Sequence, residues 1–357
     1  MRILLTGGGT MGSVSPLLAI AEELKEKDNS SEFLWLGTKN GPEEKFVKEA
    51  EILFRAIPSG KLRRYFSGWN FIDPFLIIAG FFSSFWIIFK FKPKIILSAG
   101  GFVGVPVIWA GWFLRISSLI HQQDLRPGLA NKLTTPFAKI ITVAFSESLR
   151  YFTGATIVGN PFRKSLLMGD RARAKEIFGL HDDLPVLLIL GGGTGALGLN
   201  KVAILAANEL TNFCQVIHIT GGKLDDDFET KIDSLKKENK NYHLIDILVT
   251  GMEDAFAVAD LVVSRAGMGT LTELSVLGKP TILVPMPESH QEENAWYFKK
   301  QNAVHILDQK NLMPAEFSFA VREVINNNIE LINLSRNIKG VMKSDAAEKI
   351  TEKICLL

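Results

Sequence analysis

Apolar positions along this chain come in short blocks separated by polar, glycine-rich turns and by longer stretches of helical character. The blocks Ile3 to Leu5, Glu32 to Leu36, Ile95 to Leu97, Leu119 to His121 and Ile140 to Val143 predict buried strands. Ser15-Pro16 reads as N-cap and first helical residue of a helix ending near Lys27. The second half repeats the scheme. Val186 to Leu190 runs into Gly191 to Ala196 and a helix, and Gln215 to Ile219 runs into Thr220-Gly221-Gly222. Strands alternating with helices predict an α/β fold with parallel sheets and helices on both faces. Gly and Pro interrupt the pattern at Val158 to Arg163, which places a boundary there. Two similar domains follow, 1–160 and 161–357, expected to face each other across a cleft, with the final helix free to pack back onto the first. In such sheets ligands bind beyond the carboxyl ends of the strands. The loops Gly7 to Gly12, Gly100 to Gly104 and His121 to Asp124 belong at that edge in the first domain, and Gly191 to Ala196 in the second.

The most informative stretch runs from Ser264 to Ala295. A strand over Ala259 to Val263 enters a turn with Gly267 and Gly269. A helix, a strand over Thr281 to Val284 and a polar loop follow. A helix start after a glycine turn offers unpaired N–H groups and the positive dipole end to an anion. Glu273 lies further along the helix, and Gln291 and Asn294 return on the loop. This is a cradle for a sugar nucleotide, with diphosphate on the helix start and ribose hydroxyls on a carboxylate.

One segment departs from the rest. Phe75 to Phe89 is almost wholly apolar and rich in aromatic residues, flanked by Lys61, Arg63 and Arg64 before it and Lys90, Lys92 and Lys94 after it. Its 15 residues fall short of the ~20 needed to span a bilayer. Three readings stand: a buried helix of the α/β domain, an interfacial surface whose basic flanks meet anionic lipid, and, least favoured by its length, a transmembrane span.

Composition narrows the choices. A hydrophobic content of 47% supports two cores, and a net charge of +2 argues against nucleic acid as the main partner. The two cysteines, Cys214 and Cys355, make no disulfide framework or metal cluster and fit a reducing cytosol. The N-terminal apolar run is too short for a signal peptide. Asp225-Asp226-Asp227 matches an acidic metal motif in letters, but reads as the acidic first turn of a surface helix. No cofactor and no metal-ligating residues are expected, and the need of the reaction for a divalent metal is left open.

Six motifs in order resemble the MurG family of glycosyltransferases, across almost the whole chain. They are Gly8-Gly9-Thr10 with Gly12 and Pro16; Gly100-Gly101-Phe102 with Pro106; and His121-Gln122-Gln123-Asp124 with Pro127, Gly128 and Asn131. The others are Gly159 to Arg163; Gly191 to Ala196 with Asn200; and the donor string carrying Arg265, Gly267, Thr270, Glu273, Gly278, Pro280, Pro285, Gln291, Asn294 and Ala295. The resemblance implies a GT-B fold with the nucleotide sugar, UDP-N-acetylglucosamine, in the second domain. It also implies inverting transfer to the 4-hydroxyl of the muramyl sugar of undecaprenyl-linked lipid I, for peptidoglycan synthesis, on the cytoplasmic face of the membrane. The 75–89 segment falls where the family docks on that membrane.

The same resemblance assigns substrate contacts to Thr10, Met11, Gly12, Asp124, Arg163, Gly193, Val249, Met268, Gly269, Thr270, Leu271, Thr272, Glu273, Gln291 and Asn294. It also exposes departures. The family's histidine after the first glycine loop is Ser13 here, a loop glycine is Met11, and the Glu and Asn of the third motif are Gln122 and Asp124. Serine is no general base unaided at neutral pH, so Asp124 becomes the candidate base with His121 as its rival. Against each stands a plain reading: Asp124 as a turn residue before Pro127-Gly128, Glu273 as a first-turn helix glutamate held by the dipole, Arg163 as an exposed linker residue, and Gln291 as a solvated loop residue. His290 lies in the donor loop, and the other histidines read as structural. Alternative functions are a sister glycosyltransferase with another lipid acceptor, a nucleotide-sugar epimerase, or a protein that binds donor without turnover.

Overall fold

The computed structural model describes residues 1–61, 69–191, 195–222, 224, 228, 232, 235 and 239–356. These divide into two compact units, Met1–Arg163 with Ser344–Leu357, and Lys164–Lys343.

The first unit is built on seven parallel strands: β1 (Arg2–Thr6), β2 (Glu32–Gly37), β3 (Leu53–Ala56), β4 (Ile95–Ser98), β5 (Ser117–Gln122), β6 (Ile140–Val143) and β7 (Thr156–Ile157). Their order is β3-β2-β1-β4-β5-β6-β7, the doubly wound arrangement that reverses direction between β1 and β4. The helices are α1 (Ser15–Lys27), α2 (Glu43–Glu49), α3 (Trp69–Phe91), α4 (Gly104–Phe113) and α5 (Leu129–Thr134). The central strands read as continuous apolar runs because both faces are covered, with Ile3, Leu5, Trp35 and Leu97 in one core and Leu4, Leu34, Ile96 and Ile108 in the other. Pairing is level at the carboxyl edge: Thr6 sits beside Leu36 on one side and Ser98 on the other. The loops after β1 and β4 therefore emerge together at the point of reversal. Ser15 is not the cap of α1: Val14 holds that position, and Ser15 and Pro16 are its first two helical residues.

The second unit repeats this order with six parallel strands: β8 (Val186–Leu190), β9 (Gln215–Ile219), β10 (Tyr242–Ile245), β11 (Leu261–Ser264), β12 (Thr281–Leu283) and β13 (His305–Ile306). They run β10-β9-β8-β11-β12-β13, so the reversal falls between β8 and β11. Numbering the described helices in chain order, it carries α6 (Arg171–Phe178), α7 (Leu197–Leu210), α8 (Met252–Val258), α9 (Met268–Leu277), α10 (His290–Lys299), α11 (Pro314–Ile325) and α12 (Asn328–Lys339). Its core joins Leu187, Ile189, Val263 and Ile282 of the sheet to Leu199, Ala203, Phe317 and Val321 of α7 and α11. The last helix, α13 (Ala346–Cys355), belongs to the first unit, where Ile350 and Ile354 pack into the core beneath α1.

The apolar segment is longer than its sequence pattern predicts. Helix α3 has 23 residues, and its window Ile72–Phe91 is long and apolar enough to cross a membrane by length and composition. Neither a fully buried helix nor a short one describes it. Its sides are inverted: Asp73, Gly80, Ser84 and Ile88 are buried, whereas Phe75, Ile78, Phe82, Trp86 and Phe89 are each more than half exposed. The buried side is small because Gly80 lies against Pro58 and against Pro106 of α4. A helix that turns its small and polar residues inward and its aromatics outward gains nothing from the protein core on that outward face.

Candidate substrate site

In the second unit the β11–α9 turn is the centre of the donor string. Gly267 caps α9 in extended conformation (φ −72°, ψ 135°) and supplies no side-chain cap. A Cβ built on Gly267 would meet nothing within 4 Å. The helix start is therefore open, and its ten-residue helix supplies a positive end. Met268 is buried, and Gly269 and Thr270 are half-buried at the same turn. Leu271 and Thr272 face inward, and the Thr272 hydroxyl donates to the Met268 carbonyl at 2.8 Å. Arg265 enters from below: it is buried, its Nη1 donates to the Val284 carbonyl at 2.8 Å, and burial pulls its guanidinium down to about 10. It stays cationic at neutral pH and adds positive charge beneath the turn. The sequence pattern names Arg265 only as part of the string; its burial is what marks it as electrostatic support.

Glu273 is the sixth residue of α9 and only 8% exposed. The plain reading of a first-turn glutamate stabilised by the dipole is corrected by this placement, since the effect fades beyond the first turn. Gln291 and Asn294 are also relocated. They lie on α10, which Ser289 caps by accepting from the Gln291 amide at 3.2 Å, not on a loop. Asn294 Nδ2 donates to the Ala266 carbonyl at 3.1 Å and ties α10 to the glycine turn. Gln291 Oε1 accepts from the Met286 amide at 3.0 Å. His290 is exposed at the start of the same helix. Val249 is half-buried in the segment between β10 and α8. Glu273, Asn294 and the α9 start thus belong to one continuous β11–α9–β12–α10 module. Gly193 and Asp225 to Asp227 lie outside the described residues, as do Arg63 and Arg64.

In the first unit the glycine loop after β1 turns through Thr10, which is exposed, and Met11 and Gly12, which are half-buried. Ser13 is buried and braces the loop: its Oγ accepts from the Gly8 amide at 3.0 Å. Gln123 Nε2 donates to the Gly12 carbonyl at 2.6 Å and so ties this loop to the end of β5. Asp124 is half-buried just beyond β5, and its carbonyl accepts from Gln122 Nε2 at 2.8 Å. Arg163 is half-buried and is the last residue of the unit before the chain leaves it.

His121 does not present a ring nitrogen as a rival base. It is wholly buried, Nε2 donates to Asn160 Oδ1 at 2.9 Å, and Nδ1 accepts from Thr142 Oγ1 at 3.0 Å, a tautomer set by the amide oxygen. Burial pushes it down to about 4, so it is neutral at pH 7. His218 in the second unit is buried between Tyr242 and Asn200 and is pushed down to about 3. Both folded values lie below the unfolded one, so the unfolded chain takes up the extra proton as pH falls. Their contribution is fully present above pH ~6.5 and is lost on descending towards pH ~4 for His121 and pH ~3 for His218, roughly 3 kcal/mol for His121 alone. Denaturant titrations across that window should show the midpoint falling with pH; a flat midpoint would contradict the neutral, buried state.

Two doubly wound parallel units, with glycine turns at the points of reversal, match the GT-B fold used by many nucleotide-sugar enzymes. The chain belongs to glycosyltransferase family 28: residues 3–143 match its N-terminal domain and residues 186–350 its C-terminal domain. Among its relatives is the UDP-N-acetylglucosamine–N-acetylmuramyl-(pentapeptide) pyrophosphoryl-undecaprenol N-acetylglucosamine transferase of Clostridium kluyveri, 34% identical over 99% of this chain and 97% of that one. The enzyme of the same name from Borrelia turicatae is 37% identical over 98% and 95%. Among solved structures, MurG of Acinetobacter baumannii superposes with a TM-score of 0.71 at 24% identity, covering 100% of this chain and 99% of that one. The UDP-GlcNAc 2-epimerase of Neisseria meningitidis reaches 0.70 at 15% identity, covering 100% of both chains, so the fold is shared with enzymes of different chemistry.

Proposed function

We propose that this enzyme transfers N-acetylglucosamine from UDP-N-acetylglucosamine to the muramyl 4-hydroxyl of undecaprenyl-linked lipid I, with inversion at the anomeric carbon. The observation that carries the reading is end-to-end similarity, at 34% identity and above, to enzymes whose names state that transfer. The donor module fits the first substrate. Diphosphate sits on the open start of α9 above Arg265, and the Glu273 carboxylate accepts from the vicinal ribose hydroxyls. Leaving-group charge is met by the helix start and the buried guanidinium. The decisive assay supplies labelled donor with a lipid I analogue, diacylglycerol or no acceptor. Label in the lipid I product supports the reading, and label only in diacylglycerol, in free sugar, or nowhere contradicts it.

The exposed face of α3 supports a peripheral position on the cytoplasmic surface of the cell membrane. It continues onto α4, where Phe113 packs edge-to-face with Phe81 and Phe85, and Trp112 and Phe113 are exposed. Lys90, Lys92, Lys94 and Arg115 are exposed around it. Aromatics dip into the headgroup region while the cations meet anionic lipid.

Asp124 is the proposed general base for the acceptor hydroxyl, in place of the histidine that Ser13 replaces. A carboxylate at that strand end can accept the proton as the hydroxyl oxygen attacks the anomeric carbon and the UDP leaves. Asp124→Asn is expected to lower kcat by about a hundredfold with donor affinity unchanged. Steady-state kinetics beside a donor-binding isotherm checks this, and wild-type turnover in the variant would remove Asp124 from the role.

A further inference from the structure

The glycine loop after β1 is closed from inside by a carboxylate that the motif does not contain. Glu43 opens α2 and is fully buried. Its Oε2 accepts from the Gly9 amide at 3.1 Å, and its Oε1 accepts from the Thr38 amide at 2.7 Å and the Thr38 hydroxyl at 2.6 Å. Among the described residues no cation pairs with it, and three hydrogen bonds from the chain itself satisfy its two oxygens. The surrounding chain is shaped to admit it. A Cβ on Gly8 or on Gly41 would overlap the carboxylate. With the Gly8 amide on Ser13 and the Gly9 amide on Glu43, both amides at the head of the loop are spent inward.

We infer that Glu43 is the positioning residue of the acceptor loop: its carboxylate fixes the Gly8-Gly9 turn so that the loop presents Thr10, Met11 and Gly12, not the Gly8 and Gly9 amides, to the acceptor. The inference rests on the proposed function, in which the first unit receives the acceptor. It assigns this glycine turn a role opposite to that of the α9 start. The α9 start has no side-chain cap, but at Gly8-Gly9 an anion would meet amides already bonded and a buried carboxylate behind them. Whatever part of the acceptor reaches this turn therefore meets the loop edge at Thr10 to Gly12 and not the Gly8 and Gly9 amides. Gln123, which holds the Gly12 carbonyl, fixes the other end of the same edge.

Glu43→Gln tests this in the full-length enzyme. Glutamine has the same size but must turn an N–H towards Gly9 or Thr38, both of which donate. Hydrogen exchange at Gly8 to Gly12 should accelerate, and kcat/KM for the lipid I analogue should fall by about tenfold or more, because a loop shifted by about an ångström misplaces the acceptor. Donor affinity, measured separately by calorimetry, should not change. A folded variant with wild-type exchange and acceptor kinetics overturns the inference, as does an equal loss of donor binding. Should Glu43→Gln fail to fold, Thr38→Val decides: it removes only the hydroxyl donor and should move both readouts in the same direction by less, whereas wild-type values overturn the inference. If the wild-type enzyme transfers nothing to lipid I, the proposed function fails instead, and exchange in the variants alone decides whether the carboxylate holds the loop.

Discussion

Glu273→Ala is expected to weaken UDP-N-acetylglucosamine binding by about a thousandfold while leaving kcat nearly intact. Two hydrogen bonds from ribose hydroxyls to an ionised carboxylate are worth roughly 1.5–3 kcal/mol each, and about 4 kcal/mol together corresponds to three orders of magnitude. The ribose is remote from the anomeric carbon, so this energy is shared by ground and transition states and appears in KM. Placement supports the role. Glu273 sits in the second turn of α9, beyond the reach of the dipole, on a helix whose start is open. Calorimetry with the donor alone separates this from an effect on the acceptor. An unchanged dissociation constant would return Glu273 to an ordinary helical glutamate.

Replacing Phe82 and Trp86 together by glutamate is expected to lower partition onto anionic liposomes by about a thousandfold. Each ring contributes on the order of 2 kcal/mol when it leaves water, and the new charges are repelled by the lipid surface. The two side chains are 58% and 60% exposed, so the folded enzyme loses little packing and its thermal midpoint should hold. Soluble acceptor analogues should still be turned over, which separates membrane docking from catalysis. Ser84→Leu is the opposite control: Ser84 is fully buried on the inner side of the same helix, and the larger side chain should destabilise the fold without changing the membrane face. Flotation of the double variant indistinguishable from wild type would contradict the interfacial reading.

How much of this could be read from sequence follows from the range of the forces involved. Parallel strands covered on both faces leave continuous apolar runs, so β1, β5, β8 and β9 are legible, as are the glycine turns that follow β1, β4, β8 and β11. Short edge strands such as β7 and β13, two residues each, leave almost no pattern. Helix starts were harder. Ser15-Pro16 has the composition of a cap, yet Val14 takes the place and the two residues form the first helical positions. Gln291 and Asn294 look like loop residues because α10 opens with His290 and two glutamates and lacks an apolar stripe until Ala295. The apolar segment reads as shorter than the helix because polar Asp73 and Lys90 bound it in sequence, whereas both lie within α3.

The candidate site divides along the same line. Donor residues are concentrated in one uninterrupted module, so local pattern locates them. The acceptor side depends on contacts between distant segments: Gly9 with Glu43, Gly12 with Gln123, His121 with Asn160. No spacing rule connects those pairs. That is why His121 looked like a base until its two ring nitrogens were accounted for, and why Glu43 carried no signal beyond an acidic residue after Pro42.

The most direct test of the central claim is the structure of the product. Purified enzyme, UDP-N-acetylglucosamine and a lipid I analogue should yield a disaccharide whose nuclear magnetic resonance spectrum shows a β linkage to the muramyl 4-oxygen. An α linkage, attachment at another hydroxyl, or conversion of the donor into a free or epimerised sugar with the acceptor left intact would contradict it.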